Sequence, residues 1–227
     1  MQPYVFPFIG YFQLIGAVDK FIFYNDVNFI KKGWIHRNRI LVNGQDHLFT
    51  IPCADISQNK RICDTRLAFD EKEKNKLLQT ISQAYKRAPF FETIFPLLES
   101  ILIRQYDFID ELAIQSVKDV SSYLNLNASF EESKNRYGNE ELKKADRLID
   151  ICLIEDINSY INASGGQSIY TTEYFKERGV DLQFLNGLPK SYQQFDGTFV
   201  PWLSIVDVLM FNDKTTISKL LAEYELT

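Results

Sequence analysis

The sequence predicts a mixed α/β fold: three layers, a largely parallel sheet, an edge β-hairpin and a helical insertion or cover at 70–126, within one α/β domain spanning 1–227. Three observations point there. The chain opens on an extended segment, a helical run and a short apolar strand, the beginning of a parallel α/β unit. Asn43-Gly44 sits between two β-rich runs, the mark of a tight hairpin. Helical periodicity then takes over and gives way to alternation beyond residue 126.

Taken in order, Gln2-Pro3-Tyr4 leads into the apolar, proline-punctuated stretch Val5 to Ile9, a helical run from Gly10 to Val18 and a buried strand from Lys20 to Tyr24. The first strand looks cut short, because a buried strand needs several apolar residues ahead of Gln2; Met1 is therefore expected to be an internal methionine. Arg39 to Val42 and His47 to Ile51 form the hairpin arms. Helices are predicted over Glu71 to Ala88, Phe91 to Arg104 with Pro96 as a kink or break, and Phe108 to Tyr123. Leu112, Val117, Val120 and Leu124 make the core stripe of the last. The final third reads as strand (Ala128 to Phe130), helix (Lys143 to Glu155), strand (Ser159 to Asn162), helix (Thr172 to Arg178, closed by Gly179) and strand (Val180 to Phe184).

Composition narrows the function. Of 227 residues, 45% are apolar and 24% charged, enough for a core and unlike a disordered chain. The net charge of -5 argues against wrapping nucleic acid, and the apolar runs fall far short of a membrane span. Residues 1–50 run against the trend: Lys20, Lys31, Lys32, Arg37 and Arg39 outnumber Asp19, Asp26 and Asp46, giving a local basic patch suited to a phosphorylated or carboxylated small molecule. Cys53, Cys63 and Cys152, with no CxxC pair and no apolar leader, are expected to be reduced thiols in the cytoplasm. His36 and His47 do not join them in a zinc-ligand spacing, so no metal is expected.

The densest chemistry lies in Asn25 to Arg39, directly after the first full strand, where ligands of open parallel sheets bind. Lys31, Arg37 and Arg39 can hold phosphate or carboxylate, Trp34 offers a stacking face, and Asp26 and Asn38 can bond hydroxyls or an amine. A cation face around a core-anchoring Trp34 is the competing reading. Gly165-Gly166 suits either a close backbone approach to ligand or a tight turn. Ser204 and Asp207 read as a helix-capping pair, and no GxSxG elbow surrounds a serine.

The chain also resembles the WbqC-like proteins, a family associated with bacterial O-antigen and other surface-polysaccharide gene clusters. Gln2-Pro3-Tyr4 with Phe6-Pro7 and Gly10-Tyr11-Phe12 carries the resemblance, as do Asp26-Val27 with Phe29 and Lys31, Trp34, and Arg37-Asn38-Arg39-Ile40. Tyr85 with Ala88-Pro89-Phe90, Arg147-Leu148, Gly165-Gly166, Tyr170 and Phe199 to Asp207 extend it over nearly the whole chain. Asn25 departs from it, standing where a second aspartate is usual and weakening the case for a two-carboxylate metal site; His36 stands where asparagine is common. The resemblance implies a cytoplasmic transferase of surface-glycan assembly that moves an aminoacyl or acyl group onto an amino-sugar or its nucleotide derivative. Asp26 would then bind the amine, Asn38 an oxyanion or hydroxyl, and Lys31 and Arg37 a diphosphate, with Gln2, Tyr4, Gly10, Tyr11, Trp34, Arg39, Gly165 and Gly166 completing the substrate site. A non-catalytic nucleotide-sugar-binding or assembly subunit is the alternative. A second resemblance is narrower: Phe8 to Ile15 has the spacing of the nucleotidyltransferase HxGHxxLI signature, with Phe8 and Tyr11 replacing both phosphate-binding histidines, which speaks against adenylyl transfer. No cofactor motif is present, and the sequence leaves donor, acceptor and oligomeric state open.

Overall fold

In the computed structural model, which describes residues 1–188 and 190–227, an extended Phe8 hands the chain to helix α1 (Ile9–Gly16). Tyr11 to Ile15 of α1 are buried, as a helix apolar on most sides requires. Strand β1 (Lys20–Phe23) pairs in parallel with β4 (Ser129–Glu132), Lys20 opposite Ser129. Strands β2 (Arg37–Val42) and β3 (Gln45–Thr50) form the antiparallel hairpin. Its turn puts Asn43 at φ 52° and Gly44 at φ 76°, the left-handed pair that a two-residue turn demands and that asparagine and glycine tolerate.

Three consecutive helices follow: α2 (Glu71–Tyr85), α3 (Phe91–Leu102) and α4 (Ile109–Tyr123). Asp70 caps α2 by accepting the Glu73 N–H at 2.9 Å, and α3 runs unbroken through Pro96. Leu112, Val117 and Val120 of α4 are fully buried and Leu124 partly so, as the stripe predicts. Helix α5 (Lys144–Ile154) then leads to β5 (Ser159–Ala163), which pairs in parallel with β6 (Asp181–Gly187) after α6 (Thr172–Lys176). Helices α7 (Ile205–Phe211) and α8 (Lys214–Leu221) precede β7 (Tyr224–Leu226), antiparallel to β6.

The α/β class holds, but the strands lie in three small sheets, β1–β4, β2–β3 and β5–β6–β7, in place of one continuous parallel sheet. The break falls between β1 and β5, each bonded to a neighbour strand on one side only. Several helices end earlier than periodicity suggests, α2 at Tyr85 ahead of Pro89, because the residue before a proline resists the helical region, while β4 and β6 run on to Glu132 and Gly187. One large apolar cluster joins Val5, Phe12, Phe23 and Ile40 to the buried faces of α2, α3, α4, α7 and α8; a smaller one gathers Ile149, Cys152, Phe175, Val180, Leu182 and Phe184 between α5, α6 and β6. Each such side chain contributes about 1.5–3 kcal/mol on burial, so these two clusters hold the strand ends in place.

Ser204 caps α7, accepting the Val206 N–H at 3.2 Å. Asp207 does not complete the pair. Fully buried, it accepts Tyr85 Oη at 2.9 Å, Tyr192 Oη at 2.6 Å and Gln194 Nε2 at 2.6 Å, and burial raises its pKa. Tyr85 Oη in turn accepts the Leu41 N–H at 2.8 Å, so one carboxylate joins α7, α2, β2 and the 192–194 segment.

Candidate functional site

The 2–11 segment is built into the protein by backbone contacts that the sequence pattern alone does not show. Phe6 sits at φ 44°, a left-handed conformation costly for a bulky residue, and several groups hold it there. Ser116 Oγ accepts its N–H at 3.1 Å; its carbonyl accepts Ser204 Oγ at 2.7 Å and Asn38 Nδ2 at 2.6 Å. Val5 N–H donates to the Ile35 carbonyl at 3.1 Å, tying the turn to the basic loop. Asn38 is buried and its amide is committed to the Val5 and Phe6 carbonyls.

That segment delivers Phe8, Ile9 and Gly10 to a cleft of about 160 Å³. Gly187 at the end of β6, Ser164 after β5, Lys190, Tyr192 and Trp202 line its other sides. This is the carboxyl-end side of the β5–β6 pair, where ligands of parallel strands bind. Phe8 meets Trp202 edge-on at 6.0 Å. Gly10 lies so close to Phe8 that a Cβ would fall 2.3 Å from its ring, so a side chain there would have to displace that ring. Gly187 faces Gln13 in the same way, a Cβ falling 2.6 Å from Gln13 Oε1; Gln13 Nε2 donates to the Leu220 and Glu223 carbonyls, both at 2.9 Å.

At the rim, Arg39 joins the two tryptophans. Its guanidinium lies 5.5 Å from the Trp34 ring, donates to the Trp202 carbonyl at 3.2 Å and pairs with Asp46 at 3.1 Å. Trp34 is 42% exposed and Trp202 53%, and these are the only two tryptophans of the chain. Arg39 thus meets the indole of Trp34 but only the backbone of Trp202.

A second cluster lies at the carboxyl ends of β1 and β4. Arg147 Nη2 meets Asp26 Oδ2 at 2.5 Å, Arg147 Nε donates to Asn139 at 3.0 Å, and Ser133 Oγ donates to Asp26 Oδ1 at 2.5 Å, all four residues buried. The Tyr24 ring lies 4.8 Å from the Arg147 guanidinium. Asn25 Nδ2 donates to Asp110 at 2.9 Å and Glu132 at 3.1 Å, and burial raises the Asp110 pKa. The amide at 25 thus bridges two carboxylates where an aspartate would add a third, and among the described residues no group of His, Cys, Asp and Glu is arranged to hold a metal ion.

The expected residues therefore separate. Gly10 lines the cleft, as does Ser164 beside Gly165 and Gly166, whereas Arg39 and Trp34 stand outside the lining and connect to it through the Trp202 carbonyl. Gly166 itself packs against Asn162 and Tyr170. Tyr11 donates to the Gln2 carbonyl at 2.9 Å and meets the Tyr4 ring at a tilt, 5.8 Å between centroids, so those three form one buttress. Arg37 donates to the Gly33 carbonyl at 3.1 Å and to that of Lys32, closing its own loop, while Lys31 is exposed. His36 is buried against Phe29 at 5.1 Å; burial, then Arg37, lowers its pKa to about 4. Arg147 and Trp202 fall in the resembling stretches Arg147-Leu148 and Phe199 to Asp207, though the sequence alone gives them no role; Lys190 and Tyr192 carry no signal.

Comparison with known proteins places this arrangement. The WbqC-like protein family matches residues 2–219, which takes in Trp34, Arg39, the Asp26–Arg147 pair and the cleft lining from Phe8 to Val208. The chain belongs to the WbqC-like protein family. A protein of Mycobacterium tuberculosis described as uncharacterized protein Rv1507c is 27% identical over 218 residues, 93% of this chain and 91% of the relative. No solved structure matches the chain. No helix among the described residues is long and apolar enough to cross a membrane.

Proposed function

We propose that this WbqC-like protein is a cytoplasmic transferase of bacterial surface-polysaccharide assembly, passing an aminoacyl or acyl group to an amino-sugar or its nucleotide derivative. The observation that carries the reading is the cleft: apolar and aromatic walls, the opening turn of α1, Lys190 inside and the Trp34–Arg39–Trp202 platform outside. Such a site can stack a base or sugar ring on indole while cations meet a diphosphate. We assign substrate contact to Gly10, Trp34, Arg39, Lys190 and Trp202; the pairs that Arg39 and Lys190 make with Asp46 at 3.1 Å and Glu223 at 3.5 Å are solvent-exposed, and so weak enough for an anionic ligand to displace. Asp26, Asn38, Arg37, Gln2, Tyr4 and Tyr11 have polar atoms tied to other parts of the protein, and we assign them to positioning the loops around that cleft. Lys31, exposed at the loop surface, supplies charge to the approach.

Incubation with nucleotide-amino-sugars and candidate acyl donors, followed by mass spectrometry, tests the activity. A product heavier than the acceptor by one acyl group, formed in proportion to protein, supports it. Saturable binding without turnover for every donor class would make the protein a binding subunit instead.

A further inference from the structure

The wall that residues 192–202 give to the cleft has a second cavity behind it. Tyr192, Phe199, Pro201 and Trp202 face the cleft. Gln194, Phe195 and Thr198 of the same segment face the other way, onto a cavity of about 420 Å³ bounded by the hairpin turn at 42–44 and by Thr80 and Ala84 of α2.

This wall is held by few bonds. Among the described residues, 190–203 takes part in no backbone–backbone hydrogen bond. At its two ends, Lys190 pairs with Glu223 at 3.5 Å on the surface and the Trp202 carbonyl accepts Arg39 at 3.2 Å. Between them, the hydrogen bonds from described residues to the body of the protein converge on one group: Asp207 Oδ2 accepts Tyr192 Oη and Gln194 Nε2, both at 2.6 Å. Gln194 also grips Val200 twice, accepting its N–H at 2.7 Å and donating to its carbonyl at 3.1 Å, so the far limb of the wall hangs on the same carboxylate. That limb is bent against preference at both ends, with Phe195 at φ 20° and Trp202 at φ 60°, left-handed conformations costly for aromatic residues. Release from Asp207 therefore gives up a small, localised set of bonds and relieves strain, the makings of a low-stability unit.

Size supplies the reason to move. The cleft measures about 160 Å³ as it stands, whereas pockets for drug-sized ligands run from about 300 to 1,000 Å³. We propose that the 192–202 wall is a two-position gate latched by Asp207, which on release retreats toward the rear cavity and widens the cleft to the size of a nucleotide-sugar. This rests on the reading of the cleft as the ligand site. Asp207 is then a positioning residue: it touches no ligand, and it sets the size of ligand that enters.

A trifluoromethyl tag on the thiol of Thr198→Cys, at the rear face of the wall, reads the position of the gate by fluorine NMR with no ligand present. Burial pushes the Cys53 thiol up to about 12 and those of Cys63 and Cys152 up to about 11, so the introduced thiol labels first. In Gln194→Met, which cuts the latch without touching the cleft lining, a second resonance should be populated about tenfold more than in the parent protein. Tyr192→Phe is the milder cut should that variant fail to fold. Ala84→Phe fills the rear cavity from α2 and should suppress the gain; Thr80→Phe, one turn earlier on the same helix, does so if Ala84→Phe does not fold. A single sharp resonance in both the parent and the latch variant, or a minor position that neither filler reduces, overturns the proposal. With no ligand in the sample, failure to turn over any nucleotide-sugar would count against the proposed function and leave this result unchanged.

Discussion

Replacing Arg147 by leucine removes one half of a buried ion pair and leaves the Asp26 carboxylate facing Ser133 alone. Asp26 and Arg147 meet at 2.5 Å with side chains 0% and 3% exposed, so water does not screen the loss. Breaking such a pair from one side costs about 3–5 kcal/mol, because an uncompensated buried charge remains. The retained Ser133 bond offsets part of this, while the lost contact with Tyr24 at 4.8 Å adds about 0.5–1 kcal/mol. Arg147→Leu should therefore destabilise by about 3 kcal/mol and lower Tm by about 6–12 °C for a chain of this size. Asp26→Asn with Arg147→Leu removes the stranded charge and should recover at least about 1.5 kcal/mol of that loss. Urea unfolding of the four proteins of this cycle measures it. A loss below about 1 kcal/mol in Arg147→Leu, or single effects that simply add in the double variant, would refute the reasoning.

Arg39→Lys keeps the charge but gives up the fork that reaches Asp46 and the Trp202 carbonyl; nucleotide-sugar affinity measured by calorimetry should weaken by about 1–3 kcal/mol, with little change in Tm. Stability should fall as pH drops from about 6.5 toward 4, because unfolded His36 takes up a proton that the folded protein refuses, to a total of no more than about 3 kcal/mol. In His36→Asn the pH dependence of urea unfolding across that window should flatten. Asn25→Asp sets a third carboxylate beside Asp110 and Glu132 in place of an amide that donates to both. It should cost about 3 kcal/mol at pH 7 and much less at pH 5, where a carboxyl with a raised pKa takes up a proton; thermal melts at the two pH values check the sign.

Local rules made much of this legible. Asn43-Gly44 specifies its hairpin by backbone conformation alone, and the α4 stripe follows from helical spacing. Gly10 could be placed at a site from its neighbours, although its close approach to the Phe8 ring could not. What escaped depends on contacts far apart in sequence. Asp207 reads locally as a capping partner for Ser204, yet Tyr85 lies 122 residues away and claims it. Asn38 and Arg37 read as ligand groups because their chemistry suits ligands; that they close on carbonyls of Phe6 and Gly33 is a property of the folded loop. The division into three sheets escaped as well, because the partner of β1 is β4, far along the chain, and alternation within a strand does not name its partner.

Titration of nucleotide-sugars against intrinsic tryptophan fluorescence tests the central claim most directly, because both tryptophans flank Arg39 at the rim of the cleft. A saturable change at one ligand per chain is predicted, reduced in Trp202→Phe and shifted to higher concentration in Arg39→Lys. Binding seen by calorimetry with the fluorescence of both tryptophans unchanged would place the ligand elsewhere and contradict the account.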